Sequence, residues 1–128
     1  QFHGSEPPEF CHAFARPYIK AVPMGAAGDP TAVMSAHTRA SGFLVDSHSA
    51  GEAGGRGEAF DWSAIPANEH RRRLILAGGL TPANVARGVA EVQPWAVDVS
   101  SGVESEPGVK DAGLMARFIS EVQRVQHH

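Results

Sequence analysis

The sequence predicts an α/β fold built from parallel strand–helix units. Apolar runs typical of buried strands alternate with segments of helical periodicity, which is the pattern of parallel βα units. The predicted strands end near positions 3, 22, 46, 77 and 99. A complete eight-unit barrel needs roughly 200 to 250 residues. A chain of 128 residues with five strand ends therefore corresponds to half a barrel or to a small open sheet.

Turn signals and apolar runs define the first half of the chain. The opening QFHG has the character of a strand end, which predicts that the chain is a piece of something longer. GFLVD is apolar until its last residue, as in a strand buried on both faces. In order, the predicted elements are a turn over 4–8, a short helix over 9–15, a strand over 17–22, a loop over 25–28, a helix over 30–38 capped by Asp29 or Thr31, and a strand over 42–46.

A glycine-rich segment separates the two halves. Residues 47–59 (SHSAGEAGGRGEA) lack hydrophobic periodicity and predict a loop that ends at the apolar anchor Phe60-Asp61-Trp62. Thr81 followed by Pro82 predicts a helix start, because Thr caps helices and Pro fits the first turn. The later elements are a strand over 73–77, a helix over 81–92, a strand over 95–99, a loop or short helical turn over 100–108, and a long helix over 110–126.

Composition and charge exclude several classes of protein. The net charge of −3 gives no reason to expect a nucleic-acid or anionic-membrane partner. The basic run Arg71–Arg73 predicts a solvated helix end or loop. No apolar run approaches the ~20 residues of a membrane span. The single cysteine, Cys11, excludes an internal disulfide and is typical of a reducing compartment, which predicts a cytoplasmic location.

Each predicted strand ends in polar or glycine residues. In parallel βα folds the carboxyl ends of the strands share one rim, where functional groups collect. Five such endings on one rim predict a site. They are His3-Gly4, Lys20 within IKAV, Asp46-Ser47, Gly78-Gly79, and Asp98 with Ser100, Ser101 and Gly102.

The glycine pair in LAGGLTPANV has two interpretations. Either the turn is simply tight, or the backbone N–H groups approach an anion beside a helix N-terminus. The hydroxyls and N–H groups of VSSGVE, one strand along, favour the anion, since phosphate binding between the last two strands of a barrel is a recurring arrangement.

Three motifs carry a family resemblance. In order and spacing, LVDSHSAGEAGGRGEAFDW, LAGGLTPANV and AVDVSSGVE resemble the phosphoribosylanthranilate isomerases of tryptophan biosynthesis, and QFHG and PYIKAV match that family's fourth and fifth strand regions. The resemblance implies one partial domain over residues 1–128, the carboxyl-terminal half of a (βα)8 TIM barrel from the end of strand 4 through helix 8. It implies an Amadori rearrangement of N-(5-phosphoribosyl)anthranilate to 1-(2-carboxyphenylamino)-1-deoxyribulose 5-phosphate, without metal or cofactor.

The resemblance also implies roles for individual residues. Asp46 is the acid that protonates the furanose ring oxygen, unless it only caps its strand. Such an acid needs a raised pKa, which an apolar strand end under a closing loop supplies by desolvation. The implied phosphate cradle is Gly78, Gly79, Ser100, Ser101 and Gly102.

The resemblance implies roles for the remaining residues, several of them with an alternative. Asp98 contacts substrate or is a paired structural carboxylate, and Lys20 adds charge near the substrate or forms a structural ion pair. Gln1 and His3 line the anthranilate side, or His3 is a rim histidine bonded to backbone. Gly54, Gly55 and Gly57 form a flexible loop in which Arg56 replaces the commoner Thr.

The implied catalytic base is absent from the printed chain. The family carries it as a cysteine on the first strand, in a K-x-C-G-type segment, and Cys11 instead falls in a predicted outer helix as a small packing residue. The leading hypothesis is therefore the carboxyl-terminal half of an isomerase, completed by an amino-terminal half-barrel. The alternatives are a non-catalytic phosphate-binding half-barrel that self-associates through its open edges, and another phosphate-binding barrel, against which the FDW anchor argues.

Overall fold

The computed structural model describes residues 1–24, 29–46 and 62–126. The predicted loop over 25–28 and the glycine-rich loop with Gly54, Gly55, Arg56 and Gly57 lie outside the described residues, as do Phe60 and Asp61 of the predicted anchor.

Four parallel strands form the main sheet and lie in it in the order of the chain, which confirms the predicted α/β architecture. A parallel bridge between Phe2 and Lys20 adds the start of the chain to the outer edge. The strands are β1 (Ile19–Pro23), β2 (Gly42–Asp46), β3 (Leu74–Ala77) and β4 (Ala96–Val97).

The two faces of the sheet bury different residues, because successive side chains of a strand point to opposite sides. One face packs against the helices and holds the larger core, in which Phe43, Val45 and Leu76 have no accessible surface. The other face carries a small cluster of Ala21, Leu44, Ile75 and Ala77, flanked by Ile19 and Ala96. Alternation along β2 puts Asp46 on the face of Leu44, at the carboxyl end of the strand.

The helices that cover the larger core are α1 (Pro8–His12), α2 (Pro30–Ala36), α3 (Val85–Val92) and α4 (Ala112–Gln126). The Asp29 side chain accepts a hydrogen bond from the Thr31 N–H, so Asp29 is the cap of α2 that the sequence left open. The regular part of α3 begins four residues later than predicted, after a turn over 82–84. Trp62 is buried against α3, where Arg87 lies 4.8 Å from its ring and a Cβ on Gly88 would lie 3.1 Å from it.

Two predictions about local structure are confirmed only in part. The segment over 100–108 contains a short 3-10 turn, Ser101–Val103, and then enters an antiparallel hairpin of β5 (Glu104–Glu106) and β6 (Val109–Lys110). Gly108 has a φ of +83° in the hairpin turn, a conformation that favours glycine. The strand predicted over 95–99 is present as the two residues of β4, and the Trp95 and Asp98 N–H groups on either side of it also donate to β3.

The prediction for the arginine run is also confirmed only in part: the run ends a helical turn, but only Arg72 is solvated. The run lies in a 3-10 turn, Glu69–Arg73, whose Asn68 side chain accepts from the His70 N–H. Arg71 donates to the carbonyls of Pro66, Ile65 and Val92 at 3.2–3.3 Å. Arg73 donates to the Ala40 carbonyl and lies 5.2 Å from the Phe43 ring. Two of the three arginines are therefore structural, and only Arg72 is exposed.

None of the helices in the described part of the chain has the length and apolar character needed to cross a membrane.

Candidate functional site

A small cavity at the carboxyl rim brings most of the predicted site residues together. Its volume is about 80 Å3. The carboxyl ends of β2 and β3 and the loop after β4 surround it, as parallel strands require. It is lined by Asp46, Ala77, Gly78, Gly79, Leu80, Asp98, Val99, Ser100, Ser101 and Gly102.

The glycine pair after β3 adopts a conformation that other residues rarely take. Gly78 and Gly79 have φ values of +83° and +69°, both in the left-handed region. Successive residues in this region make a sharp turn that a Cβ would strain, so the turn itself requires glycine. The two interpretations of the glycine pair, a tight turn and a backbone that approaches an anion, are therefore compatible, because this turn lines the cavity.

The loops after β3 and β4 touch through their backbones. A Cβ built on Gly102 would lie 1.8 Å from the Leu80 carbonyl oxygen and 3.2 Å from the Thr81 Cα, so only glycine fits. Leu80 is buried in the core and anchors the first loop. The sequence predicts that Gly102 binds phosphate. The structure adds a second reason for glycine at this position, the close packing against Leu80, which the motif does not reveal.

The loop after β4 presents polar groups to the cavity. Ser100 and Ser101 are exposed, and Ser100 makes no side-chain capping bond to the 3-10 turn that follows it. Lys110 donates to the Ser100 carbonyl at 2.8 Å and pairs with Glu104 at 2.9 Å. The hydrogen bond from Lys110 holds the pKa of Glu104 below its usual range. Sequence reasoning missed Lys110, because the hairpin that returns it to this loop was not predicted.

Asn84 is a second residue that sequence reasoning missed. Its carboxamide donates to the Gly79 carbonyl at 2.9 Å and accepts from the Thr81 N–H at 2.8 Å. The Thr81 hydroxyl accepts from the Ala83 N–H at 3.2 Å. The LTPAN segment is thus a hydrogen-bonded unit that fixes the glycine turn, and an asparagine three residues after a Thr cap is the available signal.

Two carboxylates flank the middle of the cavity. Asp46 is the register partner of Ala77, and the Asp98 N–H continues the ladder onto β3 by donating to the Leu76 carbonyl. Neighbouring strands lie about 4.8 Å apart, so two strands place the backbones of these aspartates roughly 10 Å apart. Asp46 is half-buried and Asp98 is exposed. Between them Ala77 contributes only a methyl group, which leaves room for a ligand.

The structure places the predicted anthranilate-side residues elsewhere. His3 is exposed and lines a separate depression of about 620 Å3 between the chain start, β1 and α2, and Gln1 is exposed and lines neither. Lys20 is buried on the helix side, where its Nζ lies 2.6 Å from the Gly4 carbonyl and 3.4 Å from Glu6. Of the two interpretations of Lys20, the structure supports the structural ion pair.

The dimensions of the cavity limit what it can hold. Drug-sized ligands occupy pockets of roughly 300 Å3 or more, so a cavity of about 80 Å3 accommodates one compact group and not a whole phosphoribosyl compound. A turn of glycine amides beside serine hydroxyls is chemically suited to an oxyanion. In the described ranges, no group of three or more His, Cys, Asp or Glu side chains is arranged to hold a metal ion.

The family is decided by sequence comparison. A model of the family described as N-(5'phosphoribosyl)anthranilate (PRA) isomerase matches residues 1–121. This chain belongs to that family. An N-(5'-phosphoribosyl)anthranilate isomerase of Halorhodospira halophila is 57% identical to it over 97% of the chain. The corresponding protein of Xanthomonas campestris pv. campestris is 48% identical over 100% of the chain. The chain spans 59% and 60% of the lengths of these two relatives.

Solved structures of the family share the fold. The isomerase from Thermotoga maritima superposes with a TM-score of 0.78 at 40% identity, covering 95% of this chain and 60% of that one. An isomerase in complex with reduced 1-(o-carboxyphenylamino)-1-deoxyribulose 5-phosphate superposes with a TM-score of 0.71 at 37% identity, over 95% of this chain and 57% of that one. The predicted TIM-barrel type of fold is thereby confirmed.

The single cysteine of this isomerase-family chain is a packing residue. Cys11 lies in α1 with no accessible surface and belongs to the larger core. Burial raises the pKa of its thiol, which disfavours the thiolate. Its predicted packing role is confirmed, and it is poorly placed to act as a base.

Proposed function

We propose that this chain supplies the general acid and the phosphate cradle of a phosphoribosylanthranilate isomerase. The supporting observation is that one cavity is lined by Asp46 together with the loops after β3 and β4. The substrate phosphate binds the amides of the glycine turn and of the Ser101–Val103 turn. This arrangement holds the ribose over the rim, next to the strand-end carboxylates.

In this proposal Asp46 donates a proton to the furanose ring oxygen of N-(5-phosphoribosyl)anthranilate. The C1–O bond breaks and a Schiff base forms between C1 and the anthranilate nitrogen. A base then removes the proton from C2, and the enol so formed tautomerises to the 1-deoxyribulose product. Asp98, on the other side of Ala77, contacts the sugar. No oxidant or cofactor is required, because the redox change is internal to the sugar.

The base comes from polypeptide outside the printed 128 residues. Cys11 is buried among apolar side chains of the helix layer, and the family's base-bearing segment does not occur in this sequence. We propose that residues 1–128 form one partial barrel domain that an amino-terminal half-barrel completes, and that the enzyme works in the cytoplasm. Gln1 and His3 then line the anthranilate side only after completion.

The alternative is a non-catalytic phosphate-binding half-barrel that self-associates. Exposed apolar side chains near both edges of the sheet favour this alternative. Phe10 and Phe14, which contact Phe2 at one edge, are 51% and 57% exposed, and Ile119 near β4 is 55% exposed. Exposed apolar surfaces of this kind favour burial against a second polypeptide. Either a second copy of this chain or an amino-terminal half-barrel could bury them.

Co-expression with the unmatched amino-terminal part of the Halorhodospira halophila relative tests the proposal. Consumption of the fluorescent anthranilate substrate is followed for the wild type and for Asp46→Asn. We expect kcat to fall by about 10² to 10⁴, the usual contribution of a general acid. Asp29→Asn is the matched control, because Asn caps a helix as well as Asp does. Equal activity with Asn at position 46 contradicts the acid assignment. A completed but inactive wild type, together with dimerisation of the isolated chain, favours the alternative.

A further inference from the structure

Asn84 connects the two residues that bracket Leu80 in the loop after β3. Its Nδ2 donates to the Gly79 carbonyl and its Oδ1 accepts from the Thr81 N–H, at 2.9 and 2.8 Å. Both polar atoms of one half-buried carboxamide are therefore used on the backbone of this loop. A residue that merely began α3 would need only one of these bonds.

The bond to Gly79 sets the direction of a peptide unit that borders the cavity. A peptide bond is planar and trans, so its C=O and N–H point in opposite directions. With the Gly79 carbonyl held by Asn84, the N–H of Leu80 is directed away from that side chain. Leu80 lines the cavity, so this orientation determines whether its amide is offered to a ligand.

The contact with the loop after β4 depends on the same segment. The Leu80 carbonyl abuts the Cα of Gly102, where a Cβ has no room. Asn84 fixes the backbone on both sides of that carbonyl, at Gly79 and at Thr81. A shift of Leu80 would therefore move the contact that joins the two loops.

We propose that Asn84 is a positioning residue of the phosphate cradle. Its carboxamide orients the Gly79–Leu80 peptide and maintains the backbone contact between the loops after β3 and β4. Asn84 does not line the cavity itself, so it acts through the backbone. The inference rests on the proposed function, because it requires that the cavity bind phosphate.

Phosphate-dependent thermal unfolding of the chain tests the inference. Wild type, Asn84→Ala and Asn84→Ser are titrated with millimolar inorganic phosphate at constant ionic strength, with chloride as the balancing salt. Asn84→Ser keeps a good helix-start residue but has no group long enough to replace the bond to Gly79. Asn68→Ala is the matched control, because Asn68 also accepts a backbone N–H, that of His70 at 2.9 Å, at the opposite end of the sheet.

We expect the wild-type Tm to rise with phosphate and to saturate, as specific binding requires. We expect Asn84→Ser to raise the apparent Kd for phosphate about tenfold, a loss of affinity on the scale of one or two hydrogen bonds. Asn68→Ala should lower Tm and leave Kd unchanged. Any general stabilisation by phosphate as a solute should appear equally in all variants and should not saturate.

Two results overturn the inference, and they differ in what else they overturn. Saturable binding in the wild type with an equal Kd in Asn84→Ser shows that the cradle exists and does not depend on Asn84. No saturable binding in the wild type rejects the phosphate cradle itself, and the inference fails with it. If Asn84→Ala does not fold, the comparison between the wild type and Asn84→Ser decides.

Discussion

The two ends of the sheet use their polar residues in different ways. At the amino end, Arg71 and Arg73 donate to backbone carbonyls and Asn68 caps the 3-10 turn that leads into β3. At the carboxyl end, Ser100 makes no capping bond and Asp98 is exposed at the cavity. The polar groups at the amino end hold the chain together, whereas the carboxyl end combines structural bonds, such as that of Asn84 to the Gly79 carbonyl, with exposed polar side chains that line the cavity.

The difference shows that sequence motifs alone do not separate structural from functional polarity. An arginine run has the charge to attract a phosphate, and in this fold it precedes the amino end of β3, whereas the cavity lies at the carboxyl ends of the strands. The glycine and serine turns carry no formal charge, yet they surround the cavity. This division agrees with parallel βα folds in general, where the carboxyl rim carries function and the amino rim carries stability.

The largest effect is expected for Gly102→Ala at the carboxyl end. The new Cβ would lie 1.8 Å from the Leu80 carbonyl oxygen, so the two loops must separate. We expect a loss of about 3 kcal/mol or more in the free energy of unfolding, measured by urea denaturation, together with loss of phosphate binding. Gly108→Ala is the control. Gly108 has a positive φ, which adds backbone strain that Gly102→Ala does not carry, but no atom lies within 4 Å of the added carbon, so Gly108→Ala should cost only about 1 kcal/mol. Equal losses in both variants would contradict the contact.

A somewhat smaller effect is expected for Arg71→Met at the amino end. Three hydrogen bonds from a charged donor are lost, and the carbonyls of Pro66, Ile65 and Val92 lose this donor. We expect the unfolding free energy to fall by about 3 kcal/mol. Arg72→Met removes the same charge from an exposed side chain and should stay within about 0.5 kcal/mol of the wild type. If Arg71→Met weakened phosphate binding while leaving stability intact, the proposed division between the two ends would be wrong.

The smallest effect concerns pH and a buried polar pair on the helix side. The Tyr18 hydroxyl lies 3.0 Å from the His37 Nδ1, and both residues are buried. Burial lowers the pKa of His37, with a smaller contribution from the Lys20 charge, while a backbone hydrogen bond and the charge of Glu6 oppose it. The unfolded chain therefore takes up this proton first.

Stability contributed by His37 is complete above the ordinary histidine pKa of about 6.5, and it is lost as pH falls from there towards the lowered folded pKa. We expect the stability difference between the wild type and His37→Gln to shrink on acidification, by at most about 1.4 kcal/mol per pH unit. Urea denaturation from pH 7.5 to pH 5 measures it. A difference that grows on acidification would mean that the pKa of His37 is raised.

The buried strands and the rim were accessible to sequence reasoning. GFLVD became β2 with the predicted bounds, because an uninterrupted apolar run has few other places in a parallel sheet. The strand-end positions placed Asp46, the glycine turn and the serine loop on one rim, where they line one cavity. Their chemical roles remain predictions, as do those of Gln1 and His3.

The features that sequence reasoning missed were missed for different reasons. Arg71 is structural because the Val92 carbonyl, 21 residues away, comes within 3.2 Å, and no local pattern reveals this. Asn84 bonds residues close to it in the chain, Gly79 and Thr81, but the helix predicted over 81–92 included it as an ordinary helical residue. The hairpin of β5 and β6 had a local signal, Pro107-Gly108, but its charged strands lack the apolar alternation by which strands are recognised.

Amide NMR of the isotopically labelled chain during titration with inorganic phosphate tests the central claim most directly. That claim is that the loops after β3 and β4 bind one oxyanion beside Asp46. We predict that the largest saturable shifts occur at the amides of Gly78, Gly79, Ser101 and Gly102 and fit a single Kd. Saturable shifts centred on residues 71–73 instead, or none at the four amides, would contradict it.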